Sequence, residues 1–167
     1  MFKSIKELFS NNKKYDVNSV KRIVFDTDCK IRVSGFFKIS HELVSNREDK
    51  EKVQDAVGQE LLRKKDFGYM ASRTRQAEVK VISIGNETNG LCTVHFELTT
   101  HFYNSYIAID PLSAKAKAKD YFTYQTEVPY YVNNIEKSGY DVEIDIITTG
   151  SKEVVFFEGE IGYEDNE

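Results

Sequence analysis

Apolar and polar residues alternate most regularly between Val20 and Ile39. There Cys29, Ile31, Val33, Phe37 and Ile39 fall on one side of an extended chain, and Lys30, Arg32 and Lys38 on the other. A period of two marks a strand with one dry face and one wet face. Asp26-Thr27-Asp28 places turn-favouring residues inside this stretch and is a candidate break in it. The first ten residues keep a different rhythm: Phe2, Ile5, Leu8 and Phe9 recur at three- and four-residue intervals, as on a short helix ending at Asn11-Asn12. Such a helix is marginal alone and needs the sheet or a partner to lie against.

The best helical stripe lies further on. Ser45 followed by Glu48 forms a capping box, and Val53, Ala56, Val57 and Leu61 then repeat at helical spacing, which predicts a helix over about 46–65. Asp66 to Ser72 has no clear period and reads as a loop. Asp110-Pro111 followed by an Ala/Lys run predicts a capped helix over about 111–119, although the strict alternation equally fits an edge strand guarded by lysines. Pro129 interrupts the aromatic run from Tyr121 to Tyr131, so that segment is expected as an edge strand or loop.

Two hairpins complete the pattern. Pairing Gly85 with Gly90 puts Ala77, Val79, Val81 and Ser83 on the same face as Leu98, Phe96, Val94 and Cys92, with Glu78, Lys80 and Ile82 opposite. A two-residue turn at Gly150-Ser151 puts Tyr140, Val142, Ile144 and Ile146 with Ile161, Gly159, Phe157 and Val155. Its other face then opposes Asp141 to Glu160 and Glu143 to Glu158, with Asp145 beside them. Like charges directly opposite one another destabilise a sheet, so this acidic row needs compensation. Lys30 and Arg32 on a neighbouring strand, a divalent cation, or a basic partner would supply it.

The expected fold is therefore α+β: mainly an antiparallel sheet of about five to seven long strands, with hairpins near 75–84/91–103 and 139–149/152–162. To these are added the N-terminal helix, the central helix and the short helix over about 111–119, in one domain spanning 1–167.

Composition narrows the class. Apolar residues at 40% and charged residues at 30% permit a real core and exclude a disordered chain. No apolar run is long enough to span a membrane, and the charged start does not resemble a signal peptide, so a cytoplasmic location is expected. Cys29 and Cys92 sit on apolar strand faces and are expected as buried, reduced thiols. The net charge of −4 divides unevenly: residues 1–83 carry 18 Lys/Arg against 12 Asp/Glu, and residues 84–167 carry 5 against 15. The halves thus stand at net +6 and net −10, which implies either two faces that meet within the fold or an anionic surface for a basic partner.

Candidate chemistry is sparse. His95, Glu97 and His101 share one side of a strand, yet six strand residues cover roughly 20 Å, too far for both histidines to bind one metal ion. His95 with Glu97 could still serve as a base and its orienter, making the polar face around them a candidate ligand pocket. The plainer alternative is a solvent-facing row paired with Lys80. His41 shows no Cys or Asp partner in the sequence, and Asp26 and Asp28 suit a turn better than a metal site. Neither a phosphate loop, a zinc-type Cys/His spacing, HExxH nor GxSxG occurs, and no metal or cofactor is expected. The basic cluster Arg63-Lys64-Lys65, with Arg73 and Arg75, ends a helix, and the acidic total argues against direct nucleic-acid binding.

The favoured expectation is a small acidic binding or inhibitor protein, not an enzyme, that recognises a basic protein surface through Asp141, Glu143, Asp145, Glu158 and Glu160 with Tyr130 and Tyr131 nearby. By analogy, immunity proteins and inhibitors that mimic nucleic acid work on this logic. The rival expectations are an enzyme or small-ligand binder centred on His95 and Glu97, and an assembly subunit that docks through its N-terminal helix.

Overall fold

The computed structural model describes residues 19–157. The expected N-terminal helix, Glu158 and Glu160 lie outside the described residues. In chain order the elements are β1 (Ser19–Ser40), a 3-10 turn (His41–Val44), α1 (Lys50–Leu62), α2 (Lys65–Arg73), β2 (Arg75–Ile84), β3 (Leu91–Ile107), α3 (Pro111–Gln125), α4 (Val128–Lys137) and β4 (Asp141–Phe157). Among the described residues the sheet has four antiparallel strands in the order β2-β3-β1-β4, not the five to seven expected. β1 and β2 flank β3 while β3 and β4 flank β1, so two split β-α-β units interleave.

The four α-helices of the described residues cover the same face. Val57 and Leu61 of α1, Phe67 and Met70 of α2, Phe122 of α3 and Val132 and Ile135 of α4 share one core with Ile31, Val33, Val94, Phe96 and Leu98 from the central strands. The alternation in β1 and β3 thus selects the dry face as expected. The opposite face carries no helix among the described residues.

β1 does not break at Asp26-Thr27-Asp28; it runs unbroken, and a register shift against β4 falls between Asp26 and Thr27. That continuity overturns the second expected hairpin. Gly150-Ser151 is not a turn: β4 continues through it as one strand, pairing Asp141 with Ser34 at one end and Phe157 with Ser19 at the other. A 22-residue neighbour offers backbone partners for the whole length of β4, which outweighs a weak local turn signal. In the first hairpin the pairing lies two residues from the expected one, Val79 against Leu98 and Val81 against Phe96, an even shift that keeps Val79 and Val81 on the core face. A bulge between Val81 and Ser83 then turns Ile84, rather than Ser83, toward the core.

The helices also differ from expectation. The cap of α1 is Asp49, whose carboxylate accepts from the Lys52 N–H at 3.3 Å, while the Ser45 hydroxyl donates to the Glu42 carbonyl. The segment Asp66 to Ser72, expected as a loop, belongs to α2, a two-turn helix whose only buried residues are Phe67 and Met70. It folds tightly onto the end of α1: a Cβ on Gly68 would fall 2.5 Å from the Leu62 carbonyl oxygen. Asp110 and Pro111 do start a helix, but α3 extends to Gln125. Pro129 lies in the first turn of α4, where a missing N–H costs nothing, so the segment is helical rather than strand or loop.

Candidate functional site

β1 and β4 bring together the two halves of the charge asymmetry. On the open face Lys30 lies opposite Asp145 and Arg32 opposite Glu143, with Arg32 Nη2 2.8 Å from Glu143 Oε2. Further along, Lys21 Nζ reaches Glu153 Oε1 at 2.9 Å. Glu143 therefore faces a guanidinium and not a second carboxylate, and the expected acid-on-acid pairs do not form from it. Asp141, opposite Ser34 at the start of β4, has no basic residue across from it.

Around Asp141, at the margin of the sheet where β4 meets the end of α4, lies a recess of about 620 Å³. Its walls include Glu97 from β3, Arg32 from β1, Asp141 and Glu143 from β4, and Glu136 from the end of α4. Four carboxylates face one guanidinium. Tyr140 also lines it, its ring edge-on to Phe67 and tilted against Phe96 in the core, and partial burial raises its pKa above the ordinary tyrosine value. Gly35 makes room for that ring: a Cβ there would lie 2.6 Å from Tyr140 Cδ1. Of the expected binding acids, Asp141 and Glu143 line this recess and Asp145 sits two positions along the same strand face.

The two tyrosines lie elsewhere. Tyr130 and Tyr131 belong to α4 in the helix layer, where Tyr131 stacks on Tyr69 and the Arg73 guanidinium sits over both the Tyr69 and Tyr131 rings. Arg73 Nε also holds Glu127 at 2.7 Å. Two more residues of the basic cluster have structural partners, Arg63 on Glu60 and Lys64 over the Phe37 ring.

The histidines take partners that sequence spacing did not indicate. His95 stacks on Phe36 at 4.4 Å instead of engaging Glu97, which turns to the recess. The carboxylate–imidazole pair is His101 with Asp28, whose two oxygens lie 3.0 and 2.9 Å from Nδ1. A carboxylate only accepts, so Nδ1 carries the proton. Asp28 is nearly buried, and Asp26 accepts from the Ser105 hydroxyl at 2.6 Å, which gives both acids structural partners. His41 has a partner after all, the Cys92 thiol, with its Sγ 3.5 Å from Nδ1.

Both cysteines are buried and unpaired by disulfide, as expected. Burial, reinforced by the Asp28 and Asp145 carboxylates, pushes the Cys29 thiol up to about 12. Among the described residues no group of three or more His, Cys, Asp or Glu side chains is placed to hold a metal ion. No helix among them is long and apolar enough to cross a membrane.

Comparison with family models, with curated proteins and with solved structures finds no match.

Glu136 is the site residue that sequence reasoning missed. An edge strand or loop around Pro129 hides it, because only a helix ending at Lys137 delivers it to the start of β4. The signal that could have found it is the spacing of Val128, Val132 and Ile135, three apolar residues at helical intervals just ahead of it.

Proposed function

We propose that this chain is a binding protein that recognises a basic macromolecular partner through the acidic margin of its sheet, where β4 meets the end of α4. The observation that carries this reading is the recess in which Glu97, Glu136, Asp141 and Glu143 outnumber Arg32. Lys30 and Arg32 answer part of the β4 row, so the surplus concentrates around Asp141 rather than running the whole strand. Rim carboxylates of this kind steer a basic partner and choose it over acidic competitors. Tyr130 and Tyr131 sit in the helix layer, and this reading gives them no part in the same contact.

An enzymatic reading loses its expected base and orienter, since His95 packs on Phe36 and Glu97 belongs to the recess. Docking through the N-terminal helix concerns residues outside those described.

The test is capture from the native host at low and high salt, with the wild type beside Asp141→Asn/Glu136→Gln. A basic protein held by the wild type, released by salt and lost from the variant supports the reading. A partner held equally by both overturns it.

A further inference from the structure

We infer that the partner binds as an extended segment with a basic residue at every second position, added to the free edge of β4 as a fifth strand. This inference rests on the reading above and specifies how the basic partner would be held.

The two edges of the sheet are not alike. β2 is interrupted twice, between Arg75 and Glu78 and between Val81 and Ser83, and Gln76 adopts a positive φ of 54°. Bulges of this kind blunt an edge against further pairing. β4 is regular from Asp141 to Thr148, with an unbroken register against β1 from Ser34 to Thr27. Among the described residues its outer backbone groups meet no other strand or loop. A regular edge with unpaired N–H and C=O groups is a template for one more strand.

The side chains on both faces of that edge point the same way. Ile144 faces the helix layer directly beside Ile31, which is 0% exposed, yet Ile144 is 43% exposed. The helices stop short of the edge, and an added strand would cover this residue. On the open face Asp141, Glu143 and Asp145 recur every second residue, a spacing of roughly 7 Å that matches alternate side chains of a neighbouring strand. Those acids also fix the occupant. A second copy laid antiparallel about Glu143 would set acid against acid, whereas lysines at alternate positions would meet a carboxylate each.

The experiment uses the full chain and a capped seven-residue peptide of alternating lysine and valine, measured by fluorescence anisotropy at low salt. Two further peptides carry N-methyl groups on every second residue, one on the odd and one on the even positions. In an added strand only one of these sets faces β4. The expected result is binding of the parent, loss of about tenfold or more with one N-methylated peptide, and near-parent binding with the other. If all three peptides bind alike, strand addition is overturned while recognition of a basic partner stands. If the parent does not bind, or binds Asp141→Asn/Asp145→Asn as well as the wild type, both the mode and the underlying reading fail.

Discussion

Arg32 Nη2 lies 2.8 Å from Glu143 Oε2 across the β1–β4 pair, with both side chains on the open face. An acidic row held unpaired for a partner would gain stability when its charge is removed. This pair predicts the opposite sign: Glu143→Gln should cost about 0.5 kcal/mol, the scale of an exposed ion pair. Urea denaturation of both single variants and of Arg32→Gln/Glu143→Gln closes the cycle, and a coupling of zero would mean the contact contributes nothing.

Gly35 and Tyr140 make a tighter relationship. Because the Tyr140 ring is held by Phe67 and Phe96, it cannot withdraw from a Cβ placed 2.6 Å away. Gly35→Ala should destabilise by about 1–3 kcal/mol, the range for overpacking a core. Unchanged denaturation would show that the packing of Tyr140 against Gly35 is loose.

The thiols give a pH prediction. In the unfolded chain Cys29 ionises near the ordinary thiol value of 9.0, while in the fold it stays protonated up to about 12. The folded state therefore holds the extra proton across that window. Stability is fully retained below the lower value and falls as pH rises through it, by about 1.4 kcal/mol per pH unit for one group. Tyr106 and Tyr140, both raised chiefly by burial, act in the same direction at higher pH. Cys29→Ala should flatten the alkaline loss, as measured by melting temperature against pH. In the native state both thiols should label slowly and in the denatured state quickly.

Asp28 and His101 test whether the open face has fixed internal structure. Asp28→Ala leaves the His101 Nδ1–H without its acceptor and should cost about 1–3 kcal/mol, and Asp28→Ala/His101→Ala should cost less than the sum of the single changes. Strict additivity of the single effects would show that the pair is not coupled.

The dry faces of the central strands were legible because alternation is a property of neighbouring residues, and Cys29, Ile31, Val94 and Phe96 need no distant information to declare it. The Asp110-Pro111 start of α3 was legible for the same reason. What failed was pairing. Gly150-Ser151 reads locally as a turn, and only the length of β1, more than a hundred residues away in the chain, makes a straight strand the better solution. The partners of the acids followed that error: Glu143 meets Arg32 instead of Glu158, and His101 meets Asp28, through contacts that exist only once β1 lies between β3 and β4. Pro129 and the short stripe of α2 misled in a different way, since a proline in a helix's first turn and two buried residues in two turns both carry weak periodicity.

Amide hydrogen exchange across the sheet, read with and without the lysine–valine peptide at low ionic strength, tests recognition at the β4 margin most directly. Binding there predicts slower exchange confined to residues 141–148, reversed by salt and absent in Asp141→Asn/Asp145→Asn. Slowing along β2 or in the helix layer, or no slowing anywhere, would contradict it.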